Sequence, residues 1–537
     1  MFTRIALSVA AADLSSDRRK SVIGSSRIIV RFGATLVANI LRAGLSFVSG
    51  LMIARGLGAA SYGDLNFLLG SFAAISSLLD LSTSSAFYTF ISKRQRSRAF
   101  VLLYLAWMGF QFAVTVLAVG LLLPASVLDR IWLGHGRGIV LLAFAASFLM
   151  NQLWGMVSGL GEASRKTVLV QIAAVTQAVV HIALIAFVML SGWLTVPVIL
   201  CLLTSEYLLL ALVLGPMWMR RNLAQESSAK DSYRTVFREF AVYCTPLIVY
   251  GCVGFLYTFA DRWLLQRFGG SEQQGFFAIG QQVANISLIA TTSILRVFWK
   301  EVAEALHRQD HQRVRTLYAS VSRSLFFVGA AVSCLLIPYS REILTRTVGI
   351  GYDRAGPCLA IMLLYPVHQS LGQIQGTFFF ASEDTKRYAR IGLLTMALSI
   401  PIAYFILAPR SAAIPGLGLG AVGLAIKMVL LQIVGVNLQL YVIARTHGWA
   451  YDFTYQAVVL GTLLGSAWAC KWASIWMLRL AGSIGSVPKV MLLGSLFYCV
   501  LMLLLLYGRP AVAGATREDA RHLLVGTMRW LRSTVAS

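Results

Sequence analysis

Residues 29 to 64 read IVRFGATLVANILRAGLSFVSGLMIARGLGAASYGD, an apolar stretch interrupted by an arginine. At 3.6 residues per turn its polar residues share one narrow stripe of a helix, formed by Thr35, Asn39, Arg42, Ser46 and Ser49. An arginine at the centre of a bilayer costs about 2.5 to 3.5 kcal/mol on insertion scales, so it should face protein or a wet cavity. The stripe therefore predicts a membrane-spanning helix that lines a polar cavity. The alternative is that these small polar residues only hydrogen-bond a neighbouring helix.

The composition of the chain is that of a polytopic membrane protein. Of its 537 residues 58% are hydrophobic and 13% are charged, with a mean hydropathy of +0.73, far from the average of soluble domains. Apolar runs of about 20 residues, long enough to cross a bilayer, predict about fourteen spans. The predicted spans are 32–54, 65–91, 99–123, 139–160, 167–190, 193–215, 241–265, 275–298, 317–338, 356–381, 391–409, 417–443, 454–476 and 487–507.

The net charge of +24 reflects the topology of the chain more than a nucleic-acid partner. With the N-terminus in the cytoplasm and alternating spans, about 30 Lys and Arg residues fall inside, about 11 outside and about 5 within spans. Both termini are therefore predicted to be cytoplasmic. Contact of the basic loops with anionic lipids is a second expectation.

An internal repeat divides the chain. RGLGAASYG at 55–63 and RFGGSEQQG at 267–275 share the pattern R-x-x-G-x-x-x-x-G, and the second copy begins 212 positions after the first. The matched candidate motif or gating residues are Arg55, Gly58 and Gly63 with Arg267, Gly270 and Gly275. Six predicted spans separate the two copies. Because an even number of spans returns the chain to the same side of the membrane, both halves have the same orientation. We therefore expect two lobes of six helices related by a parallel repeat.

Polar stripes also recur six helices apart. They comprise Asn66, Gly70, Ser77, Asp80, Ser84 and Tyr88 in the second helix, Tyr250, Gly254, Tyr257 and Asp261 in the seventh, and Gln281, Asn285, Thr292 and Arg296 in the eighth. Four matched polar faces with ions of both signs predict a water-filled cavity between the lobes. The candidate substrate-binding residues are Arg42, Arg296, Asn39, Asn285, Gln281 and Lys427. Asp80 and Asp261 are candidates for ion coupling, although Asp261 could instead form an ion pair near its helix end.

The fold prediction is thus an all-α polytopic protein with two pseudo-symmetric six-helix lobes around a central cavity and two extra helices. The predicted segments are a cytoplasmic tail at 1–28, the first lobe at 29–215, a cytoplasmic linker at 216–240, the second lobe at 241–443, helices thirteen and fourteen at 444–508, and a cytoplasmic amphipathic tail at 509–537. The seven cysteines lie in apolar runs without CxxC spacing, so they predict core residues and no metal site. No cofactor is expected.

Two stretches carry a family resemblance: MIARGLGAASYGDLNFLLG and FADRWLLQRFGGSEQQGFFAIGQQV. They resemble polysaccharide flippases of the multidrug/oligosaccharidyl-lipid/polysaccharide exporter superfamily. The residues that match the family motifs are Ala54, Arg55, Leu57, Gly58, Tyr62 and Gly63 in the first stretch, and Asp261, Arg262, Gly270 and Gly275 in the second. The likeness extends from residue 29 to about residue 507.

The resemblance implies a transporter that moves an undecaprenyl-pyrophosphate-linked oligosaccharide from the inner to the outer leaflet of a bacterial inner membrane. The product would be a surface polysaccharide, such as an exopolysaccharide, a capsule or an O-antigen. The implied partners are the lipid-linked oligosaccharide, membrane lipids and the polysaccharide polymerase or export machinery, and no nucleic acid.

Three alternatives differ in their chemistry. Exporters of organic cations need acids at the cavity centre, whereas Arg42 and Arg296 accompany Asp80 here and favour an anionic cargo. A peptidoglycan lipid-precursor flippase would satisfy the same electrostatics and stays open. A membrane glycosyltransferase or polymerase needs paired acids or a metal site outside the hydrocarbon. The longest outer loops, 124–138 and 339–356, are short, so the sequence predicts no enzyme.

Overall fold

The structure, a computed structural model, describes residues 18–93, 96–164, 166–222, 233–288, 291–482 and 486–514. Within these ranges side chains are described except at 18–34, 36, 219–222, 287, 291–294, 296 and 297. The described chain is almost entirely helical and contains no strand. The predicted amphipathic tail, from residue 515 onward, and the middle of the predicted linker, 223–232, lie outside the described residues.

Eight α-helices precede the linker in the part of the chain that the structure describes. They are α1 (Arg18–Asp80), α2 (Thr83–Lys93), α3 (Arg98–Leu117), α4 (Ala125–Trp132), α5 (Arg137–Phe148), α6 (Trp154–Ala163), α7 (Thr167–Leu190) and α8 (Val196–Asn222). One π-helical turn extends α3 through Ala118–Leu122, and another, Leu149–Leu153, joins α5 to α6.

Ten α-helices follow the linker. They are α9 (Tyr233–Ala284), α10 (Thr291–His307), α11 (His311–Leu336), α12 (Ser340–Thr347), α13 (Gly356–Met362), α14 (Tyr365–Ala381), α15 (Thr385–Leu407), α16 (Gly420–His447), α17 (Phe453–Leu480) and α18 (Val487–Gly508). Short 3₁₀ segments lie at Asn285–Leu288, Ile337–Tyr339, Ile350–Ala355 and Pro510–Ala513.

The described helices cover the predicted spans, although not one for one. Among the described residues, 11 helices are long and apolar enough to cross a membrane. Two of them are longer than one span: α1 contains the predicted span 32–54 and most of 65–91, and α9 contains 241–265 and the start of 275–298. The predicted span 356–381 consists of α13 and α14. Each of the two double helices turns at a glycine with positive φ, Gly58 (φ 73°) or Gly270 (φ 78°), a conformation that only glycine adopts without strain. These are equivalent positions of the repeat.

Several predicted boundaries are wrong. The helix that contains the first predicted span begins at Arg18, because polar residues before the apolar run continue the helix. The predicted second span, 65–91, breaks after Asp80, where Leu81 and Ser82 have positive φ. The predicted eighth span, 275–298, is interrupted after Ala284 by a 3₁₀ segment. Sequence hydropathy registers apolar character, and it does not detect these local backbone breaks.

The helices define two ends of the bundle. One end carries the turns at Gly58 and Gly270 and the loop segments near His135 and Tyr352, and we name it the glycine-turn end. The other carries the basic segment at 96–98, the turn between α10 and α11, and the loop that joins α16 to α17, and we name it the basic end. The charge bias predicts that the basic end faces the cytoplasm.

The two lobes share a hydrophobic core toward the glycine-turn end. A buried cluster there joins residues from both halves of the chain, such as Phe67, Phe276 and Leu424. The start of α9 joins the same cluster at the basic end through Val236. A second cluster, which includes Phe326, Phe378 and Tyr498, is built only from residues after the linker and includes α17 and α18. The lobes are thus joined firmly at one end, and the two extra helices pack on the second lobe.

The closest approach between the lobes is a crossing of backbones at the repeated motif. A Cβ atom added to Gly63 would lie 1.8 Å from the carbonyl oxygen of Ser271, and one added to Gly275 would lie 2.0 Å from that of Ala59. Residues 59 and 63 are the repeat equivalents of 271 and 275, so the two contacts are the same contact seen from either lobe. Glycine is required at both positions because no side chain fits between the backbones.

A second reciprocal contact flanks this crossing. The Gln282 side chain of α9 lies against Gly50 of α1, and a Cβ added to Gly50 would be 2.0 Å from Gln282 Nε2. The Arg262 side chain lies against Gly70, and a Cβ added to Gly70 would be 1.8 Å from Arg262 Nη1. Gln282 Nε2 donates to the Phe47 carbonyl at 3.1 Å, and Arg262 Nη1 donates to that of Asn66 at 3.0 Å. Positions 50 and 70 are repeat equivalents of 262 and 282. The repeat therefore describes a pseudo-twofold interface in which equivalent positions meet, with the first lobe supplying both glycines and the second lobe both long polar side chains.

Gly63→Ala and Gly275→Ala should each separate the lobes at the glycine-turn end, because the added methyl group would overlap backbone atoms of the other lobe. Overpacking of this kind costs about 1 to 3 kcal/mol. We expect spin labels at the exposed positions Arg55 and Arg267 to report longer distances in both variants, measured by double electron–electron resonance.

Gly44→Ala is the matched control, because a Cβ at this exposed position of α1 meets no atom within 4 Å. It should leave the distance distribution of the native protein unchanged. A Gly63→Ala protein whose label distances match those of the Gly44→Ala control would contradict the proposed crossing.

Candidate substrate cleft between the lobes

Tyr352 closes the glycine-turn end from the second lobe. It lies in the 3₁₀ segment before α13, is 1% exposed, and donates from its hydroxyl to the carbonyl of Ala54 at 3.0 Å. Its ring also makes an edge contact with Tyr62 at a centroid distance of 6.5 Å. Tyr62 in turn donates to Gln282 Oε1 at 2.5 Å. These contacts seal the space between α1 and α9 on the side of the glycine turns.

Asp64 adds hydrogen bonds between the lobes at the same end. Its Oδ1 accepts from Ser271 Oγ at 2.5 Å and from Gln266 Nε2 at 3.0 Å, both on α9. His135 Nε2 lies 3.3 Å from the same oxygen. Burial alone would lower the pKa of His135, but hydrogen bonds to Asp64 and to the Trp132 carbonyl outweigh it and raise that pKa above its ordinary 6.5. The stability that the charged His135 imidazolium adds through Asp64 is therefore fully present below about pH 6.5. It is lost as the pH rises through the raised pKa of His135.

The facing sides of the lobes become exposed toward the basic end. Ser46 lies about 40° around α1 from Gly50, and Ser77 about 20° around from Gly70, so each continues the face that contacts the other lobe. Both serines are exposed, whereas Gly70 is buried and Gly50 is half-buried. The lobes therefore diverge from the crossing toward the basic end. We name the space between these faces of α1 and α9 the cleft.

Arg42 lies one turn of α1 before Ser46, about 40° around the helix from it. Its side chain is exposed, and among the described residues its one hydrogen-bond partner is Asn39, which accepts from Nη2 at 3.4 Å. Asn39 itself is half-buried. Arg42 is therefore a cation without a carboxylate partner in the part of the chain that the structure describes. A free guanidinium in such a position can accept an anion through paired N–H donors.

The remaining predicted cavity residues of the eighth helix are only partly described. Gln281 is half-buried at the end of α9, and Asn285 is exposed in the 3₁₀ segment that follows. Arg296 lies in α10, and its side chain is outside the described residues. The contribution of these three residues to a cargo site stays a prediction.

Lys427 and Asp261 form a buried ion pair inside the second lobe. Lys427 Nζ lies 2.5 Å from Oδ1 and 2.6 Å from Oδ2 of Asp261, and the Lys427 side chain is fully buried. The ammonium group also lies 4.9 Å from the centroid of the Tyr257 ring. The pair joins α16 to α9, and its charges cancel each other. The sequence predicts Lys427 as a substrate-binding residue and Asp261 as a coupling candidate, and it does not predict that the two form an ion pair.

Asp80, the other coupling candidate, ends α1 and caps α2. Its Oδ1 accepts from the Ser84 backbone N–H and from the Thr83 hydroxyl, both at 3.0 Å, and its Oδ2 accepts from the Ser84 hydroxyl at 2.8 Å. Such a carboxylate satisfies the unpaired donors of a helix start. The structure thus gives Asp80 a local structural role, and a coupling role is an additional hypothesis.

A lighter contact joins the lobes at the basic end. Arg96, just before α3, lies 2.6 Å from Glu239 at the start of α9. The guanidinium also lies over the rings of Phe90 and Phe100, at 5.3 and 4.8 Å from their centroids. Phe90 makes an edge contact with Phe240, with centroids 5.3 Å apart. The cleft therefore lies between a backbone crossing at one end and a side-chain contact at the other.

Sequence reasoning missed most residues that join the lobes. Gln282, Arg262 and Tyr352 make contacts that the sequence does not predict, although Arg262 matches a family motif. The repeat offset contained a usable signal for two of them, because it matches Gly50 with Arg262 and Gly70 with Gln282. The motif arginines Arg55 and Arg267 are both exposed at the glycine-turn end, away from the cleft.

Asp261→Leu and Lys427→Met should each destabilise the protein strongly, because either change leaves an uncompensated charge in the second lobe. Breaking a buried pair costs about 3 to 5 kcal/mol. The double variant Asp261→Leu/Lys427→Met should recover most of the lost stability, since it removes both charges. Thermal unfolding in detergent measures this cycle.

The exposed pair Arg308 and Glu304 is the matched control, because its partners are 2.5 Å apart but lie in water at the basic end. Removing either partner there should change the unfolding midpoint little. A double Asp261→Leu/Lys427→Met variant as unstable as the worse single variant would contradict the role of the pair as a mutually neutralised structural contact.

Comparison with known proteins agrees with this architecture. The family model described as polysaccharide biosynthesis protein matches residues 31–299. No curated protein matches the sequence.

Solved transporter structures share the fold, and three of them illustrate it. One, described as the lipid II flippase MurJ in an inward closed conformation, has a TM-score of 0.64 at 14% identity and covers 89% of this chain and 99% of its own. An inward-facing multidrug resistance MATE family transporter of the MOP superfamily has a TM-score of 0.58 at 12% identity, covering 77% of this chain and 98% of its own. An outward-facing multidrug resistance MATE family transporter of the MOP superfamily has a TM-score of 0.51 at 12% identity. It covers 81% of this chain and 96% of its own. At these identities the likeness concerns the fold.

The family match covers the whole first lobe, the glycine crossing and the two-span helix α9. It includes half of the 537 residues. The chain therefore belongs to the polysaccharide biosynthesis protein family, and it has the fold of the MOP superfamily transporters.

Proposed function

We propose that this protein flips an undecaprenyl-pyrophosphate-linked oligosaccharide from the inner to the outer leaflet of a bacterial inner membrane, for the synthesis of a surface polysaccharide. The observation that carries the proposal is Arg42, an exposed cation on the cleft face of α1 whose one described partner is neutral. Membership of the polysaccharide biosynthesis family supports a saccharide cargo. The transporter fold supports movement across the membrane rather than chemistry on the cargo.

The distribution of charge in and near the cleft favours an anionic head group. Lys427 and Asp261 neutralise each other, and Asp80 is engaged in its helix cap. Arg42 then contributes an unbalanced positive charge among the described cleft residues. A pyrophosphate offers several oxygens to a planar guanidinium, which binds phosphate groups bidentately. In this proposal Arg42 holds the pyrophosphate, with Arg296 as its expected counterpart in the second lobe.

The alternatives are weakened by the same features to different degrees. An exporter of organic cations would need an unpaired acid in the cleft, and both candidate acids have partners. A flippase for a peptidoglycan lipid precursor would use the same cation, and the structural likeness to MurJ keeps it as the second candidate. The family match to polysaccharide biosynthesis favours the oligosaccharide.

The proposal also orients the protein. The basic end would face the cytoplasm, where Lys and Arg residues accumulate in membrane proteins. The cleft would open there to receive cargo from the inner leaflet, with the glycine-turn end closed. Polymerase or export machinery would receive the cargo on the opposite side.

Arg42→Ala should lower export of the surface polymer at least about tenfold, because it removes a charge-assisted contact worth about 1.5 to 3 kcal/mol. Arg42→Lys should recover only part of the activity, since an ammonium group lacks the bidentate geometry. The measurement is polymer export in cells that depend on this protein, at matched protein levels. Arg296→Ala should give a similar loss.

Arg410→Ala is the control, because this exposed arginine lies in the loop between α15 and α16, outside the cleft. Its export should equal that of the native protein. Full export by the Arg42→Ala variant would remove Arg42 from the cargo site.

The charge of the cargo bears on the energy source. Moving one negative charge outward across an inside-negative membrane is favourable by about 2.3 kcal/mol per 100 mV, so a pyrophosphate with two charges gains about 4.6 kcal/mol. Cleft arginines that move with the cargo would cancel part of this gain. A returning cation at Asp80 could supply the remainder. Asp261 is the weaker coupling candidate because Lys427 already neutralises it.

Asp80→Asn removes the charge but keeps a side-chain oxygen that can cap α2, so the fold should survive. We expect this variant to lose any dependence of flipping on a sodium or proton gradient and to keep its dependence on the membrane potential. The measurement is flipping in vesicles under imposed gradients. A gradient dependence that persists unchanged in Asp80→Asn would make Asp80 purely structural.

A further inference from the structure

A separate cavity lies at the basic end of the second lobe, away from the cleft. Its volume is about 370 Å³, within the range of small-molecule sites. It is enclosed by α11, α14, the end of α16, the loop that follows it, and the start of α17. None of its lining residues belongs to α1 or α9, which form the cleft.

Aromatic rings form the walls of this cavity and hold one another in place. Tyr318 and Trp449 contact each other with centroids 5.4 Å apart, and so do Phe326 and Tyr455 at 5.8 Å. Tyr318 and Phe326 are buried in the second hydrophobic cluster. Tyr455 is fixed further by its hydroxyl, which donates to the carbonyl of Val512 at 2.5 Å. The walls are therefore preformed.

Two arginines of α11 bring positive charge to the cavity. Arg323 forms an ion pair with Asp452 and lies 4.8 Å over the Tyr455 ring. Arg315, two turns earlier, is exposed and has no ion-pair or hydrogen-bond partner among the described residues. Because Asp452 balances Arg323, the cavity keeps the unbalanced charge of Arg315 at its edge.

Two lining side chains bring polar atoms to the cavity beside Tyr318. Gln375 is 1% exposed, and neither its Oε1 nor the Ser322 hydroxyl makes a hydrogen bond of good geometry within the described chain. Both side chains interact with the buried Tyr318 hydroxyl. They can therefore add hydrogen bonds to a ligand that supplies hydroxyl groups.

We propose that this cavity binds a phosphate ester that carries neighbouring hydroxyl groups. Arg315 contacts the phosphate, and the Arg323 and Asp452 pair hydrogen-bonds the hydroxyls together with Gln375 and Ser322. The aromatic walls cover the carbon face of the ligand. Two sources have this chemistry, a phosphoglycerol lipid headgroup of the adjacent leaflet and a soluble sugar phosphate. The site lies outside the cleft, so it is independent of the proposed cargo.

The test uses the full-length purified protein and two probes. Glucose 1-phosphate is titrated in detergent, and binding is followed by the thermal unfolding midpoint and by calorimetry. Phosphatidylglycerol is offered in nanodiscs against phosphatidylcholine, and bound lipid is counted by native mass spectrometry. Arg315→Ala should weaken binding of the active probe at least about tenfold, as expected for a lost charged hydrogen bond. Gln375→Glu, which adds a negative charge to the cavity, should weaken it as well.

Arg308→Ala is the matched control, because it removes the same charge at the same end from an exposed arginine outside the cavity. Binding of glucose 1-phosphate that is lost in Arg315→Ala and kept in Arg308→Ala supports the soluble source. Binding of phosphatidylglycerol, but not of glucose 1-phosphate, that is lost in Arg315→Ala and kept in Arg308→Ala supports the lipid source. Absence of binding for both probes, or equal binding by Arg315→Ala and Arg308→Ala, overturns the proposal, whatever the result of the export measurements.

Discussion

The structure depends on one close approach, the crossing of α1 and α9 where Gly63 and Gly275 let two backbones touch. With little difference in hydrophobicity between lipid and side chains, helices in a membrane associate through close packing and hydrogen bonds at small residues. Here the crossing brings Arg262 and Gln282 within reach of backbone carbonyls of the first lobe. The same crossing fixes where the cleft begins, because the lobes can diverge only on the far side of it.

Charge placement follows from the same geometry. Ions in a low-dielectric interior must be paired, and Lys427 with Asp261 shows that arrangement inside the second lobe. Arg42 differs because its side chain is exposed, and in the proposed function it faces the cleft, where water or a cargo anion can solvate it. The structure thus distinguishes the structural ion Lys427 from the candidate binding ion Arg42, although in the sequence both are charged residues within apolar runs.

The sequence predicts much of this fold and less of the site. Hydropathy located the apolar segments that form the described helices, and the repeated R-x-x-G-x-x-x-x-G located the turns of α1 and α9 at Gly58 and Gly270. The backbone crossing at Gly63 and Gly275 was not predicted. Helical periodicity placed Arg42 in a polar stripe of α1, and the structure shows its side chain exposed. Periodicity could not pair Lys427 with Asp261, 166 residues apart, because such contacts depend on how α16 packs against α9. The break after Asp80 was also missed, since its cap is a local hydrogen-bond feature within an apolar run.

The central claim is that the cleft carries a pyrophosphate-linked oligosaccharide across the membrane. The direct test is flipping by the purified protein in liposomes that contain fluorescent undecaprenyl-pyrophosphate oligosaccharide and a peptidoglycan lipid precursor in equal amounts. The account predicts that the oligosaccharide changes leaflet faster than in protein-free liposomes and in preference to the precursor. Oligosaccharide flipping no faster than in protein-free liposomes, or preferential movement of the precursor, would contradict it.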